Sequence, residues 1–403
     1  VAVPTLILLD GFEWGYNPLT AVTVLGGGIG TSLGNAPGLI CDSSVKRSGT
    51  YSLKVTQDGA NATRLVKSFA STTMLVGSFY YRATTAPAAA SLITTASTAI
   101  PQLRIETDGK LSALFSGGAA QSTAGSIVDS NWHLIDFKID VSANPQLFDW
   151  KVDGTAQTQA TRTVAASTLT TFSLGSSAAG SNHTFWLDDF VLSVTSGDYP
   201  LGSTTTPHSV LAVLPTGDGT HNAGTNTIED NAGTDIASPN AFPLVDNWPP
   251  DTAAYIRQAT IDTTAYAEVT FANHDAAIGT IWDAYPLVAF TSSTNAVNEG
   301  ACIVSFDSFS TSTEVYGTPA ARTNYQSSTT TNVNFKSKNG TTADGLITRP
   351  VGNWTTSAFD ALKARIGYSG DVTGNPRWHG LMVQYAGVAG GTTETDFAGM
   401  VPI

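Results

Sequence analysis

Carboxylates are the side chains of this chain whose placement most invites chemistry. The segment DGFEWG near the start supplies Asp10 and Glu13, and WLDDF supplies Asp188 and Asp189. Asp188 alternates onto the same strand face as Trp186, Phe190 and Leu192. A carboxylate on an apolar face must be hydrogen-bonded, protonated or metal-bound. Calcium suits oxygen ligands of this kind; the competing reading is that Asp188 and Asp189 bond backbone amides near a sheet edge.

Other chemistries are less well provided for. There is no Gly-x-Ser-x-Gly elbow, no His-Glu-x-x-His helix, and Gly26-Gly27-Gly28 lacks the rest of any phosphate-binding loop. The six histidines, His133, His183, His208, His221, His274 and His379, never stand at close ligand spacing. Glycoside hydrolysis needs two carboxylates about 5 to 9 Å apart. The seven glutamates are scattered singly, and Glu229-Asp230 are adjacent residues that a strand points to opposite faces. On these grounds the chain reads as non-enzymatic.

The elements that must carry these residues are strands. The chain has 403 residues, 38 of them Gly, and only 13% are charged, a composition that suits strands and turns over helices. From Asn131 to Val141, His133, Ile135, Phe137, Ile139 and Val141 alternate with Asp136, Lys138 and Asp140, the pattern of a half-buried strand. Asp108-Gly109 and Asp153-Gly154 each sit between alternating segments and predict tight hairpins. Further strands are predicted at 51–55, 76–82 and 185–194, then at 209–214, 254–261, 266–271, 287–291, 301–306 and 381–385. One helix is predicted over 357–365, capped by Ser357 with Asp360 as its box partner and Phe359, Leu362 and Ile366 on one face.

The fold class expected is all-β, with two antiparallel β-sandwich (jelly-roll) domains in tandem and one short helix in the second. The Gly/Pro/Ser/Thr stretch before Pro207 sets the boundary, giving domains at 1–203 and 204–388 and a tail at 389–403. Each half holds four Trp, from which two separate cores are inferred. Cys41 and Cys302, 261 residues apart, read as small core residues.

With 32 acidic against 19 basic residues and a net charge of -13, the chain is a poor partner for nucleic acid or an anionic membrane. The apolar N-terminus, Val1 to Leu9, is short, lacks basic residues and does not read as a signal peptide. No apolar run reaches membrane-span length.

Several segments carry a resemblance. DGFEWG, KRSGTYSLKV (46–55), FDWKVDG (148–154) and WLDDFVLSV (186–194) resemble the concanavalin A-like, laminin-G-like jelly rolls and related carbohydrate-binding modules across about residues 5–195. That resemblance implies one structural calcium held by Glu13, a carbonyl of Ser48 or Tyr51, and Asp189 beside Asp188. LAVLPTGDGTHN (211–222), VDNWPPDTAAYI (245–256) and ARIGYSGDVTGNPRWHGLMVQYA (364–386) resemble structural proteins of tailed bacteriophages.

Together these imply a virion protein on the particle exterior, a tail fibre, tail tip or head decoration, that contacts other virion proteins. It would form a homo-oligomer, with a trimer the expected state, and its tail from Phe397 to Ile403 would pack on a neighbouring subunit. Cell-surface glycans would be its ligands, with Trp14, Tyr16, Tyr80 and Tyr81 as candidate stacking residues. The alternatives are a carbohydrate-binding module or glycan-degrading component of a secreted protein, and a purely structural subunit with no ligand.

Overall fold

A computed structural model describes residues 3–13, 15, 32–34, 38–58, 63–96, 101–115, 118–176, 182–222, 227–236, 241–247, 250, 253–291, 301–310, 313–316, 334–336, 350, 353–369, 372 and 376–390. Among the described residues the chain is almost entirely β, in four antiparallel sheets. The first half forms a nine-stranded and a seven-stranded sheet, and the second half a six-stranded and a five-stranded sheet.

The alternating segment becomes the strand His133–Asp140, between Met74–Ala83 and Gln146–Val152 in the larger sheet. Ile135, Phe137 and Ile139 enter the core as the pattern requires. Its opposite face is not left to solvent. Asp136 is 1% exposed because the chain at 199–202 crosses over it, and Gly202 N–H donates to its Oδ1 at 2.6 Å. Burial pushes that carboxyl up to about 6. Both predicted hairpins form, with Gly109 at φ +80°, Asp153 at +49° and Gly154 at +76°. Neither Cys41 nor Cys302 is in a disulfide, and both are buried.

The helix is shorter than its pattern implied. It spans Thr356–Asp360, and Thr355 caps it by accepting from Ala358 N–H at 3.1 Å. Residues from Lys363 onward form the strand Lys363–Gly367, between Tyr266–Phe271 and Ala301–Ser305. Leu362, Ala364 and Ile366 also alternate with period two, and a slot between two strands satisfies their backbone groups as well as their side chains. Asp360 is not a box partner: its Oδ1 accepts from the backbone N–H of His274 at 2.8 Å and lies 2.8 Å from that ring's Nδ1.

The inference of two separate cores is corrected at the joint between the halves. The strands Ile278–Thr291 and Arg377–Ala389 pair along most of their length. Leu381, Val383 and Tyr385 face the core of the second sandwich. Met382, Ala386 and Val388, together with Trp282, Tyr285 and Leu287, join the same cluster as Leu8, Leu9 and Phe12 of the first. A sheet buried on both faces loses its alternation and reads as a continuous apolar run, as GLMVQYAGVA does. Gly11 marks the closest approach, since a Cβ there would lie 2.3 Å from the carbonyl oxygen of Val210. The side-chain oxygen of Gln384 accepts from Gly11 N–H at 2.8 Å.

Candidate functional site

The acidic residues of the first domain do assemble, and they assemble around an arginine. The strand Asn182–Ser193 is in register with Met74–Ala83 up to Asp188, slips, and resumes at Val191. This bulge puts Asp189 in the left-handed region at φ +52°. Adjacent strand residues normally face opposite ways; here Asp188 and Asp189 are both fully buried and both reach the 47–48 turn.

Arg47 Nη1 lies 2.5 Å from Asp189 Oδ2 and also donates to the carbonyl of His208 at 2.9 Å. The guanidinium carbon stands 3.6 Å above the Tyr80 ring centroid. The other oxygen of Asp189, Oδ1, accepts from Ser48 Oγ and from Val210 N–H, each at 2.6 Å. His208 Nε2 donates back to the Asp189 carbonyl at 2.8 Å, and its ring stacks on Trp282 at 5.6 Å. Burial holds the His208 imidazole down to about 4, so it is neutral at physiological pH. Asp189 therefore fastens the 47–48 turn and the start of the second sandwich to the bulged strand.

Asp188 Oδ2 accepts from the backbone N–H groups of Arg47 at 2.7 Å and Ser48 at 3.3 Å, and Oδ1 from Asp189 N–H at 2.8 Å. Burial first, and the Asp189 charge second, hold its carboxyl well above the usual range. Glu13 is 4% exposed; both its oxygens accept from Thr50 N–H, at 3.0 and 2.9 Å, and Oε1 from Tyr51 N–H at 3.4 Å. Only glycine fits at position 49, where φ is +60° and a Cβ would fall 2.0 Å from Glu13 Oε1. Desolvation dominates here too and pushes the Glu13 carboxyl up to about 8.

These residues do not fit a calcium ion. Glu13, Ser48, Asp188 and Asp189 converge as the resemblance implied, but their oxygens are taken by N–H and O–H donors, and the cation among them is Arg47. Tyr51 contributes a donor, its N–H, to Glu13. Among the described residues no group of three or more His, Cys, Asp or Glu side chains is arranged to hold a metal.

The expected stacking residues fare differently. Trp14 and Tyr16 lie outside the described residues. Tyr80 and Tyr81 are corrected: both are buried, at 7% and 0% exposure, because both faces of their strand are covered. Tyr81 hydrogen-bonds His183 inside the first sandwich, and Tyr80 lies beneath Arg47 at the joint.

A cleft of about 1030 Å³ opens where the sandwiches meet. One wall comes from Glu13, the 46–50 turn, Arg82 and Ser130–Trp132, the other from 207–214, Asn273, Asp275 and Tyr385. Trp132, read from sequence as one of four core tryptophans, is only half-buried. Arg82 Nε donates to the carbonyl of Ser130 at 2.7 Å, fixing a guanidinium on the same wall of the cleft. Sequence offered one signal for this: Trp132 precedes its strand within DSNW, a polar turn where a core residue is out of place.

No protein family matches the chain, and no curated protein does. Solved structures do. A sialidase aligns at 12% identity over 37% of this chain and 16% of its own, with a TM-score of 0.30. An alginate lyase in complex with an alginate tetrasaccharide aligns at 12% identity over 48% of this chain and 98% of its own, TM-score 0.31. A family GH131 β-glucanase catalytic domain from Podospora anserina aligns at 16% identity over 48% and 97%, TM-score 0.32. The chain thus spans less than a fifth of the sialidase.

The expectation that the protein is not an enzyme is corrected, because the inference behind it does not hold. The physical reason lies in the inference itself. Catalytic groups converge from strands distant in sequence, so the absence of a local motif excludes nothing.

Proposed function

We propose that this chain is a saccharide-recognising protein whose ligand lies in the cleft between the sandwiches. The observation that carries this reading is the half-buried Trp132 indole in a cleft whose walls join apolar side chains, among them Leu211, Leu214 and Tyr385, to the polar side chains of Thr50, Asn131, Ser209 and Asn273. A pyranose offers an apolar CH face for an aromatic ring and a rim of hydroxyls for hydrogen bonds, and the cleft supplies both. Its size suits a short oligosaccharide. The shared apolar cluster holds the two walls in fixed relation, so the site is preorganised.

The test titrates the full chain calorimetrically with a panel of neutral and acidic tetrasaccharides, and assays the same mixtures for chain cleavage. At least one member is expected to bind with a millimolar or lower Kd, and Trp132→Ala is expected to weaken it at least tenfold. Binding by no member at 10 mM, or an unchanged affinity in the variant, overturns the reading.

A further inference from the structure

We infer that the cleft selects acidic saccharides, recognising a carboxylate or sulfate on the sugar through Lys46 and Arg82. This rests on the saccharide reading above and adds the ligand's charge to it.

The chain is strongly acidic, and several of its described cations are spent. Arg104, Lys110, Lys138, Arg257, Lys363 and Arg365 each hold a carboxylate, at 2.6 to 3.2 Å. Lys46 and Arg82 do not. Lys46 is exposed on the turn that forms one wall of the cleft. Arg82 is half-exposed; its Nε bond to Ser130 leaves both terminal nitrogens for an incoming acceptor. A guanidinium fixed at Nε is an anion site whose ordering cost is already met by the fold.

The opposing charges in the cleft are few. Arg47 faces it too, but Asp189 occupies that guanidinium. Two acidic residues line the walls among the described residues. Glu13 is withdrawn behind the Thr50 and Tyr51 N–H groups, and Asp275 turns an oxygen to Ala277 N–H at 2.9 Å. A chain with net charge -13 repels anionic polymers at long range. Two cations without carboxylate partners on one cleft provide the local attraction that such a ligand needs. Trp132 stands two residues from Ser130, to which Arg82 is tied, and the indole and the guanidinium line the same cleft.

The experiment compares matched pairs of probes on the full chain at 50 mM NaCl. The pairs are tetragalacturonate against its fully methyl-esterified form, and a sulfated against a desulfated galactan tetrasaccharide. In at least one pair the charged member is expected to bind at least tenfold tighter. Arg82→Gln and Lys46→Gln should each weaken that member about three- to tenfold and weaken the neutral one by less, so that the ratio within the pair falls. Raising NaCl to 500 mM should remove most of the preference. Equal affinity within every pair, or a charge preference that survives both substitutions, overturns the inference while the saccharide reading stands. Binding of neither member of any pair, nor of any sugar in the wider panel, overturns both.

Discussion

Glu13 and Glu268 are the same residue in comparable burial, 4% and 2% exposed, one in each sandwich, yet their environments drive them in opposite directions. Glu13 is held by Thr50 and Tyr51 with no cation among those partners, it lies near Asp189, and desolvation pushes its carboxyl up to about 8. Glu268 accepts from Arg365 Nε at 2.7 Å, Lys363 Nζ at 3.2 Å and Thr220 N–H at 3.1 Å. Its carboxyl is held below the usual range because these partners together outweigh its desolvation. Peptide dipoles satisfy a buried carboxylate's geometry; a full positive charge within hydrogen-bond distance is what keeps it ionised. In the first sandwich that charge exists, as Arg47, but Asp189 has taken it.

Removing Arg47 should therefore do the most damage. Arg47→Met leaves Asp189 buried without a counter-ion beside Asp188, a loss of about 3–5 kcal/mol by urea unfolding. Adding Asp189→Asn should recover most of it, because the cost lies in the orphaned charge and not in the lost methylenes. If the double variant is no more stable than the single one, Arg47 acts by packing on Tyr80 and the comparison with Glu268 fails.

The two glutamates should next separate in their response to pH. The Glu13 carboxyl titrates near 8 when folded and near 4.5 when unfolded, so the native state binds the extra proton between those values. Wild-type stability relative to Glu13→Gln should fall by about 1.4 kcal/mol per pH unit across that window, and the two should run parallel below pH 4.5. Glu268→Gln should behave in the opposite sense. The depressed value makes its stabilisation complete above pH 4.5 and lost as pH falls through the folded value, so the variant should be less stable than wild type at pH 7 and should converge with it in acid. Parallel profiles for Glu13→Gln and wild type from pH 5 to 8 would mean that the buried carboxyl ionises normally.

His208 supplies a smaller acid-side effect. Its imidazole is held to about 4 when folded against an ordinary 6.5, so the unfolded state binds the extra proton between those values and stability falls as pH drops through them. Because the group sits on the joint, fluorescence of the Trp282 on which it stacks should change ahead of global unfolding.

What the sequence disclosed follows from how local each signal is. The strand at 133–140 and the hairpins at Asp108-Gly109 and Asp153-Gly154 were legible because alternation and turn chemistry act over a few residues. The strand Ile278–Thr291 was legible only from 287 onward, since three register shifts against its partner break the alternation before and after Pro286. At the candidate site the carboxylates were legible and their partner was not. Arg47 lies 142 residues from Asp189, and no local pattern tells an arginine that will enter a buried pair from one that will face water. The bulge was equally hidden, because Asp189 adopts positive φ without the glycine that would have announced it. Tyr80 and Tyr81 misled for a related reason: a strand covered on both faces exposes neither of two neighbours.

The smallest expected effect divides the two cations that hold Glu268. Lys363 is 35% exposed and meets the carboxylate at one point, so water and salt screen it. Lys363→Gln should cost about 0.5 kcal/mol at low ionic strength, and less in 1 M NaCl. Arg365 is 22% exposed, and its guanidinium lies 4.1 Å from the Tyr266 ring centroid and 3.8 Å from that of Phe309. Those faces exclude water from the pair and add a cation–π attraction that salt screens less. Arg365→Gln should therefore cost about 1–2 kcal/mol, and more of that loss should persist in 1 M NaCl. If both variants lose equally and both losses vanish in salt, the second sandwich holds its carboxylate by surface charge alone, and the contrast with Arg47 narrows to one of depth.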